Sequence, residues 1–166
     1  MKRKEFLHYS LSGTAGLLLP GSILAQTTPK PPALSSEKVK EFVGAGHNNL
    51  ARVKEMLAEI PTLVYATWDW GGGDFETALE GAGHVGNKEI ANYLVEKGAR
   101  TNLFVLTMLG KTNLVKGWLE TYPQYITARG AHGFTLLHHA QRGGEDAREL
   151  LDYLQTKGLK DTRLAL

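Results

Sequence analysis

The sequence contains no cysteine, which excludes a disulfide scaffold, a thiolate zinc site, a thiol nucleophile and a lipid-modified cysteine. Serine is scarce as well: beyond residue 26 only Ser35 and Ser36 occur, and no Gly-x-Ser-x-Gly motif is present. No apolar run approaches the roughly 20 residues that a membrane-spanning helix needs. The composition, 42% hydrophobic and 22% charged, is nevertheless that of a chain able to bury a core.

The net charge of +2 comes from the first residues of the chain. Residues 1–25 contain three basic residues and one acidic one. Without them the 19 Lys and Arg and the 17 Asp and Glu become 16 of each. A neutral remainder gives no support to a polyanion-binding surface, so we expect no nucleic-acid partner.

The amino terminus has the layout of an export signal. Lys2-Arg3-Lys4 is a basic region, Leu11–Leu19 is apolar, and Ala25 offers a small residue before a cut at Gln26. We therefore predict a signal peptide over residues 1–25, a periplasmic or secreted location, and no stable membrane insertion after cleavage.

The segment Arg3-Lys4-Glu5-Phe6-Leu7 resembles a twin-arginine signal, although Lys4 replaces the second arginine. Export by the Sec route stays open. The Pro-rich stretch 26–36 predicts an extended linker. Ser35 or Ser36 is then the expected N-cap of a helix that begins near Glu37.

The rest of the chain repeats itself. Residues 53–64 match 115–126 at an offset of 62, and Thr77-Ala78-Leu79 matches Thr135-Leu136-Leu137 at an offset of 58. A repeat period of this size indicates stacked structural units. We predict four units of two helices each, over residues 37–74, 75–102, 103–132 and 133–166.

Apolar residues at helical spacing mark the second helix of each unit and place Leu94 and Leu119 in the core. The first helices are predicted at 37–46, 76–84, 103–109 and 134–142. The nearly all-apolar Leu103–Leu109 predicts a central helix packed on both sides.

Three segments, 76–82, 86–99 and 133–140, resemble the ankyrin repeat, with its Thr-x-Leu-His turn and its closing Gly-Ala. The resemblance implies an all-α ankyrin-repeat solenoid of about four helix-turn-helix units, with protruding finger loops and a concave face that binds proteins. The proline that ankyrin repeats have between the Thr and the Leu of this turn is missing in every unit. In the 76–82 segment Glu80 replaces the histidine of the turn. A generic helical bundle is the alternative fold.

Five histidines follow residue 25: His47, His84, His132, His138 and His139. Adjacent positions in a helix point about 100° apart, so His138 and His139 are poorly placed to share an ion. The ankyrin resemblance implies a structural role for His138. His47 and His84 recur at equivalent helix ends, where a histidine can bond free carbonyls. We therefore predict no metal site and no cofactor.

The segment Trp68–Phe75 carries two tryptophans, two aspartates and three glycines. Rigid aromatic side chains on a loop are typical anchors of protein interfaces. We predict a non-enzymatic, monomeric module that binds a protein partner through ten residues: Trp68, Asp69, Trp70, Asp74, Glu76, Glu80, Arg100, Asn102, Arg129 and His132.

Three alternatives stay open. A tryptophan of this segment can instead cover the end of the core. Asp69, Asp74, Glu76, Glu80 and His84 can form the site of a periplasmic enzyme or a metal-binding protein. The chain can also be an accessory protein that stabilises a co-exported enzyme.

Overall fold

A computed structural model describes residues 30–166 of the chain. The predicted signal peptide, its cleavage point between Ala25 and Gln26, and the first part of the linker lie outside the described residues. A compact unit covers Ala33–Leu166. Within residues 30–166, every helix is too short or too polar to cross a membrane.

Eight α-helices, which follow one another in four pairs, make up most of the described chain. They are α1 (Ser36–Ala45), α2 (Leu50–Glu59), α3 (Ala78–Val85), α4 (Lys88–Glu96), α5 (Leu103–Met108), α6 (Thr112–Thr121), α7 (Leu136–Gly143) and α8 (Arg148–Thr156).

The helices begin at capping side chains that the sequence supplies. Of the two serines predicted as candidates, Ser35 is the N-cap of α1, and its hydroxyl accepts a hydrogen bond from Lys38 N. Thr77 and Glu80 form a capping box at the start of α3. Each side chain there bonds a backbone N–H that the helix leaves without a partner. Gly86 ends α3 in the left-handed conformation.

The expected all-α ankyrin-repeat solenoid is wrong, because a two-stranded antiparallel sheet lies between α2 and α3. Strand β1 (Thr67–Asp69) pairs with β2 (Phe75–Thr77). The turn between them contains Gly71, Gly72 and Gly73, all with positive φ, a conformation that glycine adopts without steric cost. Helical periodicity carries no signal for such a hairpin, so the sequence alone predicts a loop for this segment.

The matching stretches after α2 and α6 begin alike, with the 3-10 helices Pro61–Tyr65 and Pro123–Thr127, and then differ. The first continues into the hairpin, whereas the second continues into a 3-10 helix at Ala131–Gly133 and a single β-bridge between Phe134 and Arg163. The domain is mostly helical, but it is not a uniform array of one repeated unit.

Helix α5 takes part in both clusters of the hydrophobic core. Val105 and Met108 belong to a cluster built by α1 to α4, whereas Leu103 packs in a second cluster with α6, α7 and α8. The prediction of a central helix that packs on both sides is confirmed. Leu94 and Leu119 are buried, as the helical spacing predicts.

Replacing Leu94 by alanine should lower the free energy of unfolding by about 2–5 kcal/mol, because the side chain is fully buried and its loss leaves a cavity. Urea denaturation followed by circular dichroism would measure the change. Leu114→Ala is the matched control, since Leu114 is 61% exposed. Equal losses for the two variants would contradict the packing described here.

Candidate metal centre

Four side chains from separate parts of the chain meet at one point: His47, Glu76, His84 and His132. Each offers one ligand atom, and these atoms all lie within 4.8 Å of one another. His47 follows α1, Glu76 lies in β2, His84 is in the last turn of α3, and His132 precedes α7. We refer to these four residues as the His3Glu cluster.

The hairpin places Glu76 at the centre of this cluster. Glu76 pairs with Trp68 in the sheet, and side chains alternate between the two faces of a strand. Phe75, the preceding residue, is therefore 60% exposed while Glu76 is completely buried. A fully buried carboxylate is costly unless a cation or hydrogen-bond donors compensate its charge.

The three imidazoles surround the two oxygens of Glu76. Oε1 lies 2.8 Å from His84 Nε2 and 3.4 Å from His132 Nε2, and Oε2 lies 3.5 Å from His47 Nε2. The Nε2 atoms of His47 and His84 are 3.1 Å apart. Ligands about 2.0–2.1 Å from a tetrahedral ion lie roughly 3.3–3.4 Å from one another. The quoted separations are close to this value, and the ligand atoms that lie furthest apart, up to 4.8 Å, would approach each other when an ion binds.

Glu76 itself is only partly satisfied by hydrogen bonds. Trp70 Nε1 donates to Oε2 over 2.7 Å. Oε1 is buried and lacks a hydrogen-bond donor of good geometry, although His84 Nε2 is near. A buried polar atom without a partner calls for an explanation, and a bound ion is one of the usual ones.

The other ring nitrogen of His47 is held by the end of α1. Nδ1 lies 3.1 Å from Gly44 O and 3.3 Å from Val43 O, so it carries the proton and donates to these carbonyls. In the neutral ring Nε2 is then unprotonated, with its lone pair free to bind an ion. The predicted bond to helix-end carbonyls is confirmed for His47, where it uses only one of the two nitrogens, whereas His84 Nε2 faces Glu76 and His47 instead.

Asp74 holds His132 in a similar way. Its Oδ2 accepts a hydrogen bond from His132 Nδ1 over 2.6 Å, and its Oδ1 accepts one from His132 N over 2.7 Å. A carboxylate behind a histidine ring is a common outer partner of metal-binding histidines.

Both carboxyl groups are ionised at neutral pH. Burial raises the pKa of Glu76, but the close approach of His84 Nε2, the charge of His47 and the bond from Trp70 together hold it below its usual value. Burial likewise raises the pKa of Asp74, and the hydrogen bonds and charge of His132 outweigh that effect. Glu76 and Asp74 therefore each contribute one negative charge, which protonated neighbouring imidazoles or a bound cation can balance.

The other two histidines of residues 30–166 support the fold. His138 Nε2 lies 2.8 Å from the backbone oxygen of His84, and its ring stacks on Phe134. Burial lowers the pKa of His138. His139 is 3% exposed and donates from Nδ1 to Thr135 O. Burial lowers its pKa to about 3.

The buried His139 should make stability depend on pH. Its pKa is about 3 in the folded chain, against about 6.5 when unfolded. The contribution of the neutral His139 ring to the free energy of unfolding is therefore complete above pH 6.5 and is lost as pH falls toward 3. Between pH 7.5 and 5.0 the loss should be about 2 kcal/mol.

Urea denaturation of the wild type and of His139→Gln at both pH values would measure this loss. The glutamine cannot acquire a proton, whereas every other histidine is the same in both proteins. An equal pH dependence in the two proteins would contradict the assignment.

The hairpin and the loop before α7 bring four of the predicted partner-binding residues together: Trp70, Asp74, Glu76 and His132. Glu76 is buried and so cannot contact a partner. Trp70 is 39% exposed and bonds Glu76, while Asp69 accepts hydrogen bonds from Gly71 N and Gly73 N within the turn.

The other predicted partner-binding residues lie apart from the cluster. Glu80 caps α3 and accepts a hydrogen bond from Asn102 Nδ2 over 2.7 Å. Arg100 lies over the ring of Tyr65, Arg129 donates to Ala165 O, and Lys40 lies over the half-buried Trp68.

Three histidines and one glutamate around a common point form the type of site that nitrogen- and oxygen-binding metal ions occupy. No family model, curated protein or solved structure matches this chain. The site therefore has to be interpreted from its own geometry.

Proposed function

We propose that this protein binds one divalent first-row metal ion, such as Zn²⁺, through the His3Glu cluster. The observation that supports this best is the convergence of four ligand atoms within 4.8 Å, one of them on a completely buried carboxylate. Acidic groups on a surface are common without a metal ion, because water solvates their charge. Glu76 is buried among three imidazoles, so water does not solvate its charge in this way.

The donor set favours some ions over others. Imidazole nitrogen suits Zn²⁺, Cu²⁺, Ni²⁺ and Co²⁺, whereas Ca²⁺ and Mg²⁺ prefer sites made only of oxygen. The chain has no thiolate to favour Cu⁺. The charges also balance, because Glu76 and Asp74 together offset the two positive charges of the ion.

Titration of the chelator-treated full chain with Zn²⁺ or Co²⁺, followed by calorimetry, tests this proposal directly. We expect one ion per chain and a melting temperature that rises with ion concentration, since an ion that binds only the folded state adds about 2.7 kcal/mol at 100 times Kd. Mg²⁺ and Ca²⁺ serve as controls and should have little effect. Absence of stoichiometric Zn²⁺ or Co²⁺ binding would refute the proposal.

Protein binding is a second candidate function, and the exposure of the hairpin favours it. Phe75 is 60% exposed and Trp70 is 39% exposed at the same turn. Large aromatic side chains are frequent anchors of interfaces. Capture of partners from the native host by the wild type but not by Phe75→Ala would support this candidate, because Phe75 points away from the buried Glu76.

Export stays a prediction from residues 1–25. If it is correct, mass spectrometry of the protein from its native host should find Gln26 as the first residue. A chain that still begins with Met1 would contradict the predicted cleavage.

A further inference from the structure

We infer that Asp74 is a positioning residue of the His3Glu cluster, which fixes the tautomer and direction of the His132 ring so that Nε2 faces the ion. This inference rests on the proposed function. Asp74 is not itself a member of the cluster. Its hydrogen bonds to His132 join the hairpin to the loop before α7.

The two oxygens of Asp74 hold His132 at two separate atoms. Oδ1 accepts from the backbone N–H and Oδ2 accepts from ring Nδ1, over 2.7 and 2.6 Å. An ionised carboxylate can only accept, so Nδ1 must carry a proton. In a neutral ring the lone pair is then on Nε2, which lies 3.4 Å from Glu76 Oε1.

The backbone of His132 shows why such a hold is needed. His132 has a φ of +58°, and among the described residues it is the one non-glycine residue with positive φ. A histidine there is uncommon, and such conformations persist where the surroundings enforce them. The hydrogen bond from His132 N to Asp74 helps to stabilise this backbone conformation, in which the His132 side chain points toward the cluster.

The three histidines differ in how their rings are oriented. His47 Nδ1 faces backbone carbonyls of α1, which no side-chain substitution removes. The ring of His84 packs against those of His47 and Phe134. The tautomer of His132 depends on a single side chain, so Asp74 is where one substitution can misdirect a ligand without deleting it.

Asp74→Asn tests the inference with the smallest change of shape. The asparagine NH2 group can donate to His132 Nδ1, which favours the tautomer with its proton on Nε2, where the ion would bind. We expect the Kd for Zn²⁺ to rise about 10- to 100-fold, as for the loss of other outer-shell partners of metal-binding histidines.

Asp69→Asn is the matched control. Asp69 lies in the same hairpin and its carboxylate accepts hydrogen bonds from Gly71 N and Gly73 N rather than from a histidine. This variant makes the same change of charge and shape five residues away, and it should keep the Kd for Zn²⁺ within about twofold of the wild type.

Nitrogen NMR of the metal-free full chain gives a readout that a merely structural role would not change. His132 should carry its proton on Nδ1 in the wild type and on Nε2 in Asp74→Asn. A wild-type ring protonated on Nε2 would overturn the inference, whatever the variant does to folding.

A double-mutant cycle separates this inference from a general effect on folding. His132→Asn removes the ring but tolerates the positive φ, because asparagine adopts it readily. In that background Asp74→Asn should change the Kd for Zn²⁺ less than twofold. A full 10- to 100-fold loss there would show that Asp74 does not act through His132.

The two proposals can fail separately. If the wild type does not bind Zn²⁺ or Co²⁺, the proposed function fails. If the wild type binds and Asp74→Asn binds equally well with Nδ1 still protonated, only the role of Asp74 is wrong.

Discussion

Replacing His84 by glutamine is expected to weaken Zn²⁺ binding more than about 100-fold, the upper limit usual for the loss of an outer-shell partner. His84 Nε2 lies closest to Glu76 Oε1, at 2.8 Å, and only 3.1 Å from His47 Nε2. A glutamine amide is a much weaker ligand than imidazole for this class of ion. Competition with a chromophoric chelator would measure the Kd.

His138→Gln is the matched control for this prediction. His138 lies in α7, stacks on Phe134, and is outside the His3Glu cluster. It should bind Zn²⁺ like the wild type, although its melting temperature can fall because the contact with His84 O is altered. Equal affinities for His84→Gln and His138→Gln would show that the ion binds elsewhere.

Replacing Gly110 by alanine should lower the free energy of unfolding by about 2–5 kcal/mol, since it combines a disfavoured backbone conformation with overpacking. Gly110 has a φ of +66°, and a Cβ added there would lie 1.9 Å from the carbonyl oxygen of Asp146. The backbone of the turn between α5 and α6, or the segment before α8, would have to move.

Gly117→Ala, in the same pair of helices, should raise stability rather than lower it. Gly117 lies within α6, and an added Cβ would meet nothing within 4 Å. Alanine at an open helical position should raise stability by up to about 1 kcal/mol. Urea denaturation of both variants would test the pair, and a Gly110→Ala protein as stable as the wild type would contradict the close packing of this turn.

The helical part of the fold could be predicted from the sequence because its signals are local. The apolar spacing of α4 and α6 identifies their buried faces, and Ser35 marks the start of α1. The hairpin could not be predicted in the same way. Three consecutive glycines indicate a turn, but the three-residue strands on either side are too short for a periodic pattern.

The cluster was missed for a related reason. The sequence offers Glu76 and His84 as one possible site, but it does not show that His47 and His132 join them, because this depends on the hairpin's register and on the loop before α7. One signal was available: His47 and His84 occupy equivalent positions 37 residues apart, which places them side by side when successive helix pairs stack.

The sharing of α5 between the two hydrophobic clusters has a consequence for cooperativity. Neither half of the domain can open without uncovering apolar side chains of a helix that the other half needs. The domain should therefore melt in a single transition rather than pair by pair from its ends. Binding of an ion between the hairpin and α3 would then stabilise the whole domain against unfolding. Even α8, at the other end of the domain, would open less often.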